Sequence, residues 1–143
     1  MEKLNEIVFY NIDKAIRSYR VYAQKQLKLT GYNITIDQWL IITSIQENPD
    51  ISQQDLGELV FKDNASVTRM VELLVKNKYL VRKPYASDRR RVKLVVTKAC
   101  QKIIEEMHAV VIQNRKRALQ SISAKELEVL NKTLGQIIGN CQE

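Results

Sequence analysis

From Leu4 to about Leu29, apolar side chains at Val8, Ile12, Ala15, Ile16, Tyr19, Tyr22 and Ala23 recur with a helical period. The pattern predicts a long amphipathic helix that stops at Thr30-Gly31-Tyr32-Asn33, where the glycine supplies a C-cap. Thr35-Ile36-Asp37-Gln38 is a capping box that opens a second helix running to about Glu47, and Asn48-Pro49-Asp50 ends it. Ser52-Gln53-Gln54-Asp55 is another cap signal, with Leu56, Leu59 and Val60 making a short third helix. Lys62-Asp63-Asn64 is a polar turn in which Asp63 can cap a fourth helix. There Val67, Met70, Val71 and Leu74 form one inward stripe. Ala65, Thr68, Arg69, Glu72 and Lys76 lie on the opposite face, with Ser66 at its margin.

The period then changes. Leu80-Val81-Arg82-Lys83-Pro84 is short and extended, Tyr85-Ala86-Ser87-Asp88 is a turn, and Val92, Leu94 and Val96 alternate with Arg91, Lys93 and Val95. Two strands joined in this way make a hairpin with arginines at its tip. Helical spacing returns from Thr97 through Cys100, Ile103, Ile104, Met107, Val110 and Val111 to a basic finish at Arg115-Lys116-Arg117. Ser123-Ala124-Lys125-Glu126 caps a last helix striped by Leu127, Leu130, Leu134, Ile137, Ile138 and Cys141.

The expected fold is mainly α with a small β-hairpin wing: a winged helix-turn-helix flanked by dimerisation helices. At 143 residues the chain is read as a single domain, 1–143. Residues 35–97 form the winged helix-turn-helix, with 1–30 and 98–143 as dimerisation helices. The outer stripes exceed what one small domain can cover, and pairing of two copies would bury them and set two reading heads on two half-sites.

Charge sharpens this picture. The formal net charge is +7, and residues 1–50 contribute none of it. Between Lys76 and Lys93 stand eight basic residues and one acidic, Asp88, so this window alone carries the whole excess. A basic run can be a solvated face; concentration at a helix end and a hairpin points instead to a polyanion. A helix fits the major groove of double-stranded DNA, and an arginine-tipped hairpin reaches the minor groove or the phosphates.

Other classes recede. The sequence offers no nucleophile–base pair, phosphate-binding glycine loop or metal cluster, so no enzyme, metal or cofactor is expected. His108 and Glu105 are one turn apart, but with one His and no neighbouring Cys an ordinary helical histidine is expected. Cys100 and Cys141 are too few and too distant for a disulfide framework or a zinc site. No apolar run is long enough to span a membrane, and Met1 to Glu6 lacks the features of a signal peptide, so a cytoplasmic location is expected.

Four segments carry a family resemblance: Thr35-Ile36-Asp37-Gln38-Trp39, Ser52-Gln53-Gln54-Asp55-Leu56, Asn64-Ala65-Ser66-Val67-Thr68-Arg69, and Asp88-Arg89-Arg90 nine residues before Thr97. In order and spacing, over nearly the whole chain, the sequence resembles the MarR family of bacterial transcription regulators. The resemblance implies a homodimeric DNA-binding regulator, usually a repressor, acting on a pseudo-palindromic operator. It implies that the first helix and the last two form the dimer interface. It places the minor-groove arginine at Arg90, oriented by Asp88, and recognition-helix contacts at Ser66, Thr68 and Arg69.

Arg89, Arg91 and Lys76 complete the candidate DNA-binding set. Ala65 joins it as a contact for a thymine methyl, or serves only as a helix former near a cap. Glu72 faces the same way and is expected to pair with Arg69 or Lys76. The family's other theme, a small aromatic effector, directs attention to Tyr10, Tyr19, Tyr22 and Trp39, which otherwise read as core. The family's thiol sensors usually carry their cysteine in the first helix. None stands there, so Cys100 and Cys141 are expected to be buried structural residues. Lys78 stands where the family often has glycine, and Asn77 beside it is expected to take the left-handed conformation instead. Cys100 likewise replaces a common glycine after the wing. A winged-helix module that binds protein rather than specific DNA is the alternative function.

Overall fold

The structure, a computed structural model, describes residues 1–142. It contains helices α1 (Val8–Leu29), α2 (Ile36–Glu47), α3 (Gln53–Val60) and α4 (Asn64–Lys76), then strands β1 (Leu80–Pro84) and β2 (Val92–Val96), then α5 (Lys98–Ala118) and α6 (Ala124–Cys141). The mainly α fold with a β-hairpin wing is as expected from the sequence.

The N-caps expected at Thr35, Ser52, Asp63 and Ser123 are all made, and the structure adds one at Thr97. Thr35 accepts from the Gln38 N–H while the Gln38 side chain accepts from the Thr35 N–H, and Ser52 accepts from Asp55. Asp63 accepts from the Ser66 N–H at 2.7 Å. Thr97 caps α5, and Ser123 and Glu126 form a reciprocal box on α6.

The start of the first helix differs from expectation. Leu4–Glu6 is a separate 3₁₀ turn, and Ile7 is extended at φ −83 before α1 begins. The Glu6 carboxylate accepts from the Lys3 N–H, and the Asn11 amide donates to the Asn5 carbonyl, which closes this turn on itself.

The strands pair antiparallel from Leu80 opposite Val96 to Pro84 opposite Val92, which puts the proline at the end of the ladder. The core gathers Ile41 and Ile42 of α2, Leu56 and Val60 of α3, Val67, Val71 and Leu74 of α4, Leu80 of β1, and Cys100 and Met107 of α5. Burying side chains of this size contributes roughly 1.5–3 kcal/mol each. The helix-turn-helix, the wing base and the first half of α5 therefore share one core.

The outer helices contribute little to it. Only Ala23 and Leu27 of α1 are buried, and none of α6 is. Val21, Leu29, Val129, Leu130 and Ile138 stay exposed.

The turn from α4 into β1 corrects one expectation. Lys78, not Asn77, is left-handed, at φ 64, while Asn77 sits at φ −81. The Tyr79 N–H reaches the Leu74 carbonyl and the Lys78 N–H reaches the Val75 carbonyl. This is a Schellman closure, and it assigns the left-handed position to the residue after the C-cap whatever its type. An L-residue held there costs about 1–2 kcal/mol. Lys78→Gly is therefore expected to raise stability by about 0.5–1 kcal/mol, read as a higher urea midpoint with unchanged slope. A lower midpoint would show that the lysine side chain contributes more than its backbone strain costs.

Candidate nucleic-acid interface

The buried stripe Val67, Val71 and Leu74 anchors α4 and thereby turns its other face outward. Ala65, Arg69, Glu72 and Lys76 are exposed there, while Ser66 and Thr68 are half-buried. The two hydroxyl residues are internally engaged. Thr68 Oγ1 donates to the Asn64 carbonyl at 2.9 Å and accepts from Gln53 Nε2 at 2.6 Å. The same Gln53 amide donates to Asn64 Oδ1 at 2.9 Å, so the first residue of α3 clamps the first turn of α4. Sequence reasoning used Gln53 only as part of a cap signal. Its amide joins residues 11 and 15 positions away, a contact that no local period announces.

Arg69 turns back towards its helix N-terminus, where its guanidinium donates to Ser66 Oγ at 3.2 Å. Among the described residues no ion pair joins Glu72 to Arg69 or Lys76, contrary to expectation. Arg69 is held by the Ser66 hydroxyl instead. Hydrogen bonds from the Ser66 backbone and side chain, with the Arg69 charge behind them, hold the Asp63 carboxyl below the usual range. The cap thus stays ionised into mild acid and loses its contribution only as pH falls through that lowered value.

At the wing tip, Asp88 Oδ1 accepts from the Arg90 N–H at 3.0 Å and lies 3.7 Å from Arg90 Nε. The Asp88 carbonyl accepts from the Arg91 N–H at 3.1 Å. Asp88 therefore shapes the loop chiefly through backbone bonds and keeps its charge beside the Arg90 guanidinium. The Arg90 side chain is 95% exposed, and Arg89 is exposed beside it. Arg91 behaves differently: its guanidinium lies over the Tyr85 ring, 4.7 Å from the centroid.

A cavity of about 190 Å³ lies between α1, α2 and α5, with Tyr19, Arg20, Trp39, Val111 and Arg115 in its wall. Two of the four predicted aromatics, Tyr19 and Trp39, meet here; Tyr10 and Tyr22 do not line it. Trp39 Nε1 is buried without a hydrogen-bond partner. Arg20 donates to Asp37 Oδ1 at 3.1 Å, and Asp37 Oδ2 lies 4.0 Å from Lys62 Nζ. These contacts run from the cavity wall to the turn before α4.

The cysteines part company. Cys100 is fully buried, and burial pushes its thiol up to about 11. Cys141, expected to be buried, is exposed at the end of α6, because within one chain nothing covers that helix. With Cys141 replaced by serine, the native chain is expected to show no reactive thiol towards a disulfide reagent at pH 8, and one after unfolding. Rapid native labelling would overturn the burial assigned to Cys100.

A capped helix-turn-helix joined to a basic hairpin defines a winged-helix protein. The MarR family model matches residues 34–92, so the winged-helix segment of this chain is similar to that family. Among solved structures the chain is similar to BpsR of Bordetella bronchiseptica, described for regulation of its DNA binding by 6-hydroxynicotinic acid. That match has 18% identity and a TM-score of 0.84, covering 100% of this chain and 99% of the other. A mutant MarR from E. coli complexed with operator DNA matches at 23% identity and TM-score 0.81, over 96% and 99% of the two chains. CouR of Rhodococcus jostii RHA1, bound to p-coumaroyl-CoA, matches at 17% identity and TM-score 0.82, over 96% and 95%. These likenesses establish the shared fold along the full length. No helix among the described residues is long and apolar enough to cross a membrane.

Proposed function

We propose that this chain is a cytoplasmic transcriptional repressor that binds a pseudo-palindromic operator as a homodimer and is released by a small aromatic effector. The observation that carries the reading is the location of the charge. All of the net +7 falls between Lys76 and Lys93, on the end of α4 and the wing that follows it. Neutralising phosphates with such a segment gives salt-dependent affinity, while α4 supplies sequence readout.

In this reading Arg69 leaves Ser66 to contact a base edge, and Ala65 meets a thymine methyl. Gln53 keeps Thr68 and the first turn of α4 in register. Arg90 enters the minor groove, with Asp88 beside it, and Arg89, Arg91 and Lys76 neutralise phosphates. The DNA-bound relative from E. coli supports this use of the fold.

The unburied α6 and the exposed apolar side chains of α1 support pairing of two copies through residues 1–30 and 98–143. Half-sites would then lie about 10 bp apart, centre to centre. The cavity lined by Tyr19 and Trp39, with its unpartnered indole N–H and two arginines, supports an aromatic effector with an acceptor or anionic group. The ligand-bound relatives support the same use.

Selection of bound sequences from a random duplex pool tests the reading directly, since it should return an inverted repeat. Recovery of no motif would favour a protein-binding wing. Arg90→Ala is expected to weaken binding about tenfold across all sequences and to lower the salt dependence by about one counterion. Arg69→Ala should relax preference at one base pair, losing about 1–3 kcal/mol of discrimination. Ile138→Asp, on the exposed face of α6, should shift sedimentation from dimer towards monomer, and an unchanged sedimentation coefficient would remove α6 from the interface.

A further inference from the structure

Tyr85 is the first residue beyond β1, and its N–H, its ring and its hydroxyl are all engaged. Its N–H donates to the Arg91 carbonyl at 3.0 Å, which extends the hairpin past the last ladder pair, Pro84 opposite Val92. Its ring lies under the Arg91 guanidinium at 4.7 Å and near the Lys93 ammonium at 5.7 Å. Its hydroxyl donates to Asp50 Oδ1 at 3.3 Å, in the turn between α2 and α3. One half-buried side chain thus ties the wing to the helical body and gathers two wing cations on its face.

We propose that Tyr85, tethered by Asp50, is the positioning residue that sets the angle of the wing to the helix-turn-helix. The inference rests on the DNA-binding reading above. A two-stranded hairpin has little core of its own, and here only Leu80 and Val96 at its base are buried. Beyond them the strand residues are exposed or half-buried, so they leave the direction of the tip weakly determined. The Tyr85–Asp50 tether lies 35 residues apart in sequence and closes the tip end of the wing onto the body. It also divides the arginines by task. Arg91 lies over the ring and remains open to a phosphate, while Arg90 projects from the tip with a 95% exposed side chain. Ordering the wing before DNA arrives removes an entropy cost that a free hairpin would meet on binding.

The sign of the Asp50 effect separates positioning from plain electrostatics. Asp50 is an acidic group attached to a basic hairpin, so deleting its charge should tighten DNA binding if charge alone matters. Positioning demands the reverse.

The experiment measures operator affinity at fixed salt for Tyr85→Phe, Asp50→Ala and the double variant, using the duplex selected by the wild-type chain. Each single variant is expected to weaken binding about threefold to tenfold, and the double variant no more than either single, because both cut the same tether. Tighter or unchanged binding by Asp50→Ala, or additive losses, would overturn the proposal. A readout on the free protein runs beside it. The Arg91 side-chain methylene protons should show an upfield ring-current shift by NMR that disappears in Tyr85→Leu. Absence of that shift in the wild type would overturn the stacking. Failure to select any duplex would instead bring down the DNA-binding reading itself, and the ring-current measurement would still report on the stacking.

Discussion

The backbone of α3 at Gly57 lies so close to the turn that follows that a Cβ there would sit 2.9 Å from the Lys62 carbonyl oxygen and 3.5 Å from Val67. A backbone atom cannot swing aside as a flexible side chain can, so this approach sets how near α3 stands to α4. Phe61, left-handed at φ 58, makes the reversal, and the Lys62 N–H returns to the Gly57 carbonyl at 3.0 Å. Asp63 then caps α4 at once. Two residues separate the end of one capped helix from the cap of the next. Leu56, Val60 and Val67 close over the gap, and Gln53 fastens the start of α3 to the first turn of α4. The outward face of α4 inherits its orientation from that junction.

The remaining elements hold the junction from three sides. Behind it, α2 contributes Ile41, Ile42 and Ile45 to the core, so the helix that carries Trp39 also supports α4. Beside it, Arg20, Asp37 and Lys62 link α1, the start of α2 and the α3–α4 turn through contacts of 3.1 and 4.0 Å. Beyond it, Thr97 Oγ1 donates to the Lys78 carbonyl, so the cap of α5 also braces the turn that launches the wing. The wall of the small cavity and the approach to α4 are thus parts of one packed and hydrogen-bonded unit. Displacing Arg20 would disturb a charge pair that ends at the turn itself.

What could be read from the chain was what local rules govern. The boxes at Thr35 and Ser123, and the caps at Ser52 and Asp63, satisfy helix N–H groups within three residues, so their spacing in sequence is their geometry. The stripe on α4 and the alternation in β2 follow from the two periods of the backbone. The left-handed residue at 78 escaped because the rung count of the last helical turn, not residue preference, assigns it. Glu72 escaped because Arg69 had a hydroxyl within reach one turn away. Gln53 and the Tyr85–Asp50 tether are contacts between elements, and periodicity carries no trace of them. The four candidate aromatics looked alike in sequence; only the crossing of α1, α2 and α5 brought Tyr19 and Trp39 together and left Tyr10 and Tyr22 apart.

The outer helices pose the converse problem, a pattern that the single chain leaves unused. A helix of 18 residues gains most of its stability from packing its apolar face, and α6 buries no residue at all. Its capping box satisfies the first turn but does nothing for Leu130 and Ile138, which stay near half exposed or more, at 47% and 58%. Val21 and Leu29 of α1 are exposed as well. In the proposed dimer the same faces would become core, and α5, packed on α1 and capped against the wing base, would carry the spacing between the two reading heads. Stability of the outer helices and registration on DNA would then depend on one surface, so a substitution on α6 would act on operator affinity while touching no nucleotide.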